Sequence, residues 1–194
     1  MEELKSTEFI LSKINELKSQ GYDRIHLPGG TSIDGSFYSG VILAKYDSIT
    51  KDVYFLGVPY CSSFHLNGRS NHNKKIGEVA SQAALRELFE ETGIQTTPEN
   101  LDLVLEKKIP DNRSRGTLGQ FHFKYFYLVT KFMGNMFNFD GPNPIDGETA
   151  APLWIPANLF VKTIFKGHLE AVNAAIEKLM NEDRQYAHAL MNLV

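Results

Sequence analysis

The stretch GEVASQAALRELFEETGI, residues 77–94, decides most of what this sequence predicts. It is rich in the strong helix formers alanine, leucine and glutamate, and Gly93 follows where a left-handed residue often ends a helix. Residues three and four apart share one side of a helix, so Glu87, Glu90 and Glu91 should project together. Like charges at this spacing repel each other. The pattern therefore predicts either a solvated acidic surface or a cation that the carboxylates hold.

A divalent cation would explain the pattern, because hard ions such as Mg²⁺ prefer oxygen ligands and carboxylates supply both oxygen and charge. Arg86 lies four residues before Glu90 and can fix a carboxylate by a charge-assisted hydrogen bond. Acidic residues on exposed helices are nevertheless common, and the glutamates alone favour the solvated surface. The residues around them decide in favour of the metal site.

The whole string resembles the signature of the Nudix hydrolases. That signature asks for Glu, seven residues, Arg-Glu, an aliphatic residue, any residue, Glu-Glu, any residue, Gly and an aliphatic residue. Every position is met, by Glu78, Arg86, Glu87, Leu88, Glu90, Glu91, Gly93 and Ile94. The resemblance implies that Mg²⁺, with Mn²⁺ as a substitute, is bound by Glu87, Glu90 and Glu91, and that Glu78 belongs to the metal site as a further ligand or in contact with the ligands. Arg86 would orient these carboxylates, and Gly93 would support the end of the helix.

The sequence departs from the family at the start of the signature. There the family has Gly six residues before its first Glu, usually as a Gly-Gly pair after Pro, but this chain has His72. The nearest analogue, Leu66–Arg69, would add about four residues to the loop, and residues 71–73 favour an exposed polar loop over a replacement for the lost glycine contacts. Residues 27–40 predict a loop. Within it Pro28-Gly29-Gly30 predicts a turn rather than an anion site, since no strand is predicted before it.

The order of predicted elements is α, β, β, α, β, β, β, α. It consists of a helix over 7–20, strands Gly40–Tyr46 and Asp52–Tyr60, a helix Glu78–Glu91, strands Leu101–Ile109, Gln120–Thr130 and Pro152–Ile155, and a helix over 166–190. Leu153-Trp154-Ile155-Pro156 matches a strand that Nudix domains carry after the signature. The predicted fold class is α/β, a Nudix-like α/β/α sandwich with a mixed sheet over residues 36–194. Residues 1–35 form a helical extension, whose helix is a candidate for homodimerisation.

Bulk properties exclude several classes of protein. The net charge of −3 argues against a general nucleic-acid binder, which usually has a basic excess. The single cysteine, Cys61, excludes an internal disulfide and a multi-cysteine zinc site. No apolar run reaches the roughly 20 residues of a membrane span, and the acidic, polar N-terminus is not a signal peptide. We therefore expect a cytoplasmic protein.

The resemblance implies a Mg²⁺-dependent pyrophosphohydrolase that cleaves the phosphate anhydride of a nucleoside diphosphate linked to another moiety. Pro110 lies sixteen residues after Ile94, where some ADP-ribose pyrophosphatases of the family have Pro. This slightly favours ADP-ribose-like compounds or nucleoside diphosphate sugars over nucleoside triphosphates. The altered loop before Glu78 motivates an alternative, a catalytically impaired Nudix-fold module that binds or senses a nucleotide.

The catalytic base is open at this point. In the family it is a signature glutamate, here Glu90 or Glu91, or a Glu in a later loop. Glu148 in DGETAAPLW is the candidate of the second kind, with a surface turn as an equal alternative. The phosphates would need cations, for which Arg69, Arg113 and Arg115 are candidates, although a lone Arg commonly serves solubility.

Aromatic side chains offer a weaker prediction. Tyr60, Phe64 or Phe123 could stack on a nucleobase, but core packing is the default for such residues. His122 is expected to be structural, because none of the histidines has metal-ligand spacing on a helix.

Overall fold

The computed structural model describes residues 4–33, 35–63, 77–110 and 121–193. The helices in this part of the chain are α1 (Thr7–Ser19), α2 (Ala80–Thr92), α3 (Ala157–Thr163), α4 (Leu169–Glu182) and α5 (Arg184–Leu190). The strands are β1 (Arg24–His26), β2 (Gly29–Thr31), β3 (Phe37–Tyr46), β4 (Val53–Tyr60), β5 (Asp102–Pro110), β6 (Phe121–Val129) and β7 (Leu153–Pro156). None of the helices in the described ranges combines the length and apolarity needed to cross a bilayer.

The strands form one mixed sheet, as predicted. β3 pairs in parallel with β6 and antiparallel with β4, while β5 lies antiparallel to β6 at one edge. β7 pairs antiparallel with β4 on the other side of that strand. The predicted boundaries of these five strands agree with the structure to within one residue except at the start of β3, which begins at Phe37 rather than at Gly40.

A segment from the predicted N-terminal extension completes the sheet. β3 and β4 pair only where Ala44–Tyr46 faces Val53–Phe55, and beyond that point they separate. β1 then pairs with the end of β4, and β2 pairs with the start of β3. Pro28 lies between these two short strands, and its carbonyl accepts a hydrogen bond of 2.8 Å from the Val41 amide. One continuous piece of chain therefore fills the gap between β3 and β4.

Helices cover both faces of the sheet, which confirms the α/β/α sandwich. Alternate residues of β3 point to opposite faces, as strand geometry requires. Val41 and Leu43 pack with Ala84 and Leu88 of α2. Ile42 and Ala44 belong to the second cluster, which includes the buried faces of α3, α4 and α5 and, from α1, Ile10 and Ile14.

The last helical region is divided into two α-helices where the sequence predicts one. The chain is extended at Asp183, between α4 and α5, and the Asp183 carboxylate accepts a hydrogen bond from the Gln185 amide. Aspartate is a favoured N-cap because its side chain satisfies an amide at the start of a helix. The break is therefore a capped restart of the helix.

Candidate functional site

The acidic residues of α2 lie together beside β2. Ala83, Ala84 and Leu88 bury one side of the helix against the sheet. This packing leaves Arg86 and the three glutamates of the signature on a neighbouring side, where the helix meets the glycine-containing segment. The predicted grouping of these side chains follows from the helix period and from the apolar face that anchors it.

Arg86 lies at the centre of this carboxylate group. Its Nη1 donates to Glu87 Oε1 at 2.6 Å and to Glu90 Oε2 at 3.1 Å. Its Nε donates to Glu78 Oε1 at 2.8 Å, and Nη2 donates to Glu78 Oε2 at 3.2 Å. Glu78 Oε2 also accepts the Ile33 amide at 2.9 Å. Both oxygens of Glu78 are thus engaged in orienting Arg86 and the chain after β2.

Gly29 and Gly30 contact the carboxylates of Glu91 and Glu87. The Gly29 amide donates to Glu91 Oε2 at 2.8 Å. A Cβ at Gly30 would lie within 2.5 Å of both carboxylate oxygens of Glu87, so a side chain at this position would collide with them. Glycine at this position therefore permits the close approach of the Glu87 carboxylate to the backbone.

The interpretation of Pro28-Gly29-Gly30 as an isolated turn was therefore wrong. A strand does precede it, β1, and the glycine pair reaches the carboxylates from an earlier part of the chain. The available signal was the tripeptide itself, a Pro followed by a Gly pair, which is the form the family has at the start of its signature. The tripeptide does not stand directly before Glu78 in the sequence, so its place in the site follows only from the fold.

Burial raises the pKa of two of these carboxyls. The pKa of Glu87 rises to about 7, mainly because burial penalises its charge, although Arg86 acts in the opposite direction. Burial, and next the charge of Glu87, raises the pKa of Glu91 well above its usual range, while the Gly29 amide opposes that shift. For both carboxyls, burial therefore outweighs the groups that favour the charged form.

The residues present fit a hard divalent cation. In the described ranges no three Asp, Glu, His or Cys side chains already converge as a group of metal ligands, because Arg86 lies among the carboxylates. The donors are nevertheless of the right chemistry, since they are carboxylate oxygens on one side of one helix. A bound cation would also favour the charged forms of Glu87 and Glu91, which burial disfavours.

Glu148 is held in place near this group. Its amide donates to Asp146 Oδ1 at 2.8 Å, and its carbonyl accepts the Cys61 amide at 3.0 Å. Its side chain is hydrogen-bonded to the Tyr60 hydroxyl, and burial together with the charge of Glu148 raises the pKa of Tyr60 to about 12. Glu148 is also one of the charges that raise the pKa of Glu91. It is a partly buried, anchored residue rather than a free surface turn.

Two residues near the glycine segment, the buried His168 and the half-buried Tyr38, had no sequence signal. The Leu27 amide donates to His168 Nδ1 at 3.2 Å, and the Tyr38 hydroxyl lies 3.3 Å from His168 Nε2. Burial lowers the pKa of His168 to about 3, so the ring is neutral and can accept at Nδ1. These contacts fix the backbone just before Pro28. No spacing in the sequence connects residue 168 with residue 27.

The other aromatic candidates pack within the protein. Tyr60 stacks on His26, with ring centroids 4.4 Å apart, and Phe123 stacks on Tyr125 at 6.3 Å. Arg69, Arg113 and Arg115 lie outside the described residues, as do Phe64 and the loop over 66–73. His122 falls within β6 and Pro110 ends β5, but only their backbone is described.

Comparisons with known proteins identify a matching family model and solved structures of similar fold. The NUDIX domain family model matches residues 75–174, just over half of the chain. A MutT/nudix family protein from Enterococcus faecalis superimposes with a TM-score of 0.52 at 16% identity, over 97% of this chain and 81% of that one. The NUDIX domain of Shewanella oneidensis NrtR, solved with ADP-ribose, gives 0.50 at 14% identity, over 73% and 86%. No curated protein matches this sequence significantly.

Proposed function

The chain belongs to the Nudix family of hydrolases, and on that premise we propose that it is a Mg²⁺-dependent pyrophosphohydrolase of a nucleoside diphosphate linked to another moiety. The observation that carries the proposal is the pair of carboxyls, Glu87 and Glu91, held against Gly29 and Gly30 with their pKa values raised. The complete set of signature glutamates also argues against a binding module, which has no need of all three.

In this proposal Glu87, Glu90 and Glu91 hold the cation, and Glu78 and Arg86 orient them. Glu78 is assigned to support because Arg86 and the Ile33 amide occupy both of its oxygens. A bound Mg²⁺, or Mn²⁺ in its place, would neutralise diphosphate charge and lower the pKa of a water molecule. The protein itself would hold the carboxylates of Glu87, Glu90 and Glu91 in a fixed arrangement beside the backbone of Gly29 and Gly30.

Glu148 is the proposed general base. A base must be held within reach of the attacking water, and Glu148 is anchored through its backbone and through Tyr60. Glu90 and Glu91 then act mainly as metal ligands, although the sequence also allows either of them as the base. Replacement of Glu148 distinguishes these assignments. Loss of a base should lower kcat and leave Mg²⁺ affinity unchanged, whereas loss of a metal ligand should lower both.

The proposed substrates are ADP-ribose-like compounds and nucleoside diphosphate sugars, ahead of nucleoside triphosphates. Pro110 supports this preference, and so does the ADP-ribose complex of the NrtR domain, which has the same fold. Arg69, Arg113 and Arg115 are proposed to bind the substrate phosphates. A homodimer through α1 and a cytoplasmic location stay predictions.

The experiment is a hydrolysis screen with product identification. ADP-ribose, nucleoside diphosphate sugars and nucleoside triphosphates are incubated with the protein, with Mg²⁺ or with a chelator. Glu91→Gln should lower kcat by about 100-fold or more, as expected for the loss of a charge-stabilising group. Glu177→Gln, an exposed glutamate on α4, is the matched control and should leave turnover unchanged. Nucleotide binding without turnover by the unmodified protein would support the sensing module instead.

A further inference from the structure

Asn143 is a buried polar residue that joins two parts of the site. Only 1% of its surface is exposed. Its Nδ2 donates to the Glu90 carbonyl at 3.0 Å and to Thr149 Oγ1 at 3.2 Å, while its Oδ1 accepts the Ile145 amide at 2.9 Å. One amide side chain therefore links α2 to the loop that carries Glu148.

The attachment point on α2 is one of the carbonyls that a helix leaves without an internal donor at its C-terminal end. The Ile94 amide, which would be the partner of Glu90 in a longer helix, donates to Thr92 Oγ1 instead. Asn143 supplies the missing donor. Because the acceptor is the Glu90 carbonyl, Asn143 is bonded to the same helical turn that carries the proposed metal ligands Glu90 and Glu91.

The loop beyond Asn143 is tied together internally. Asp146 Oδ1 accepts the amides of Glu148 at 2.8 Å and Thr149 at 3.1 Å, and Thr149 Oγ1 donates to Asp146 Oδ2 at 2.9 Å. The Asn143 amide donates to the Thr149 carbonyl at 2.7 Å. Thr149, 1% exposed, is therefore bonded to Asn143 through both backbone and side chain.

The far side of the loop is fixed to β4. The Cys61 amide donates to the Glu148 carbonyl at 3.0 Å, and the Ala150 amide donates to the Pro59 carbonyl at 2.9 Å. Glu148 thus stands between a connection to α2, through Asn143, and a connection to the sheet. The first of these is a single side chain, so it is the connection that one substitution can cut.

We propose that Asn143 is a positioning residue that sets the distance between Glu148 and the carboxylates of α2. The inference rests on the proposed function, because it gives Glu148 the task of the base. Asn143 touches neither substrate nor metal in this proposal. It acts by holding the Glu148 loop on the Glu90 carbonyl, and a catalytic group displaced by about 1 Å can lose about 100-fold in rate.

The test is a double-mutant cycle on kcat. Asn143→Asp keeps the size and the acceptor oxygen but removes both donors, and we expect kcat to fall about 10- to 100-fold with KM changed less than about twofold. In a Glu148→Gln background the same substitution should change kcat by less than about twofold. An equal loss in both backgrounds would show that Asn143 does not act through Glu148 and would overturn the proposal.

Substitutions at Thr149 and a measurement without substrate complete the test. Thr149→Val removes the hydroxyl that accepts from Asn143 Nδ2 and should lower kcat in the same way, whereas Thr149→Ser keeps the hydroxyl and should leave kcat near that of the unmodified protein. Hydrogen exchange of the Glu148 and Thr149 amides should be at least about tenfold faster in Asn143→Asp and Thr149→Val. Unchanged exchange would refute the positioning role of Asn143, whether or not the protein hydrolyses a nucleotide. Absence of hydrolysis would refute the proposed function, and the two failures can therefore be told apart.

Discussion

At the scale of single residues, the site depends on positions that have no side chain as much as on the glutamates. The signature residues could be identified from the sequence because their roles are local, fixed by the period of one helix. Gly29 and Gly30 could not be assigned in this way, because their contacts with Glu91 and Glu87 depend on how the sheet brings distant segments together.

Gly30→Ala tests this dependence. The added methyl group would meet the Glu87 carboxylate, so Glu87 must move away from its position in the group. We expect Mg²⁺ affinity and kcat each to fall at least about tenfold, as is typical when a metal site loses a supporting contact.

The matched control for Gly30→Ala is Gly57→Ala in β4. There the new Cβ would lie 2.6 Å from Ile25 Cγ2, within the apolar core and away from the carboxylates. Both variants should unfold at lower temperature, but only Gly30→Ala should lose Mg²⁺ affinity, measured by calorimetry. Equal Mg²⁺ affinity in the two variants would contradict the assigned role of Gly30.

At the scale of elements, α2 was predicted best and its surroundings least. Its amphipathic pattern and its end at Gly93 follow from the local sequence, and Gly93 has the expected left-handed φ of 77°. The residues that complete its C-terminal end come from further along the chain, where the Phe137 amide donates to the Thr92 carbonyl. β1 and β2 were missed because three-residue strands, one of them Gly-Gly-Thr, are too short to show alternation.

Gly93→Ala should destabilise the protein more than an ordinary glycine substitution at positive φ. A Cβ at Gly93 would lie 2.8 Å from Phe137 Cδ1 and 2.9 Å from the Asn135 carbonyl oxygen, which adds crowding to backbone strain. Gly141, with φ of 84° and no atom within 4 Å of its Cβ position, provides the comparison. We expect a loss of about 1 kcal/mol for Gly141→Ala and about 2–4 kcal/mol for Gly93→Ala in urea unfolding. Equal losses would mean that the crowding is relieved at no cost.

At the scale of the whole molecule, the predicted α/β/α sandwich and mixed sheet are confirmed, because β3 and β4 carry nearly continuous apolar runs that are buried on both faces. The pairing of the chain segments was not predictable in the same way. Buried His168 is an example, since it joins the C-terminal half of the chain to Leu27 and Tyr38. Such a contact depends on the complete fold and affects the stability of all of it.

The neutral His168 predicts a loss of stability in acid. Its pKa falls from 6.5 to about 3 on folding, so below pH 6.5 the unfolded chain binds the extra proton and unfolding becomes easier. Glu87 acts in the opposite direction, because its pKa is raised to about 7 and its contribution is lost as pH rises. A variant is therefore needed to isolate the histidine.

His168→Asn keeps an acceptor for the Leu27 amide but cannot take up a proton. The stability advantage of the unmodified protein over this variant should shrink by about 2 kcal/mol between pH 7.5 and pH 5, since one proton contributes up to about 1.4 kcal/mol per pH unit. The contributions of Glu87 and Glu91 cancel in this difference. Urea unfolding at both pH values gives the measurement, and a difference independent of pH would refute the assignment.

The contact of Gly29 with Glu91 spans 62 positions of sequence, and β3 and β4 lie between the two residues along the chain. A glycine pair directly before the helix would reach its carboxylates by a short local turn. Here Gly29 and Glu91 meet only when the long segment of chain between them closes into a loop. The entropy cost of that closure is offset by the stability of the sheet that forms within the segment. Folding of the sheet and assembly of the site are therefore one cooperative event. Removal of the first 35 residues as a dispensable leader would delete two strands and disassemble the site along with them.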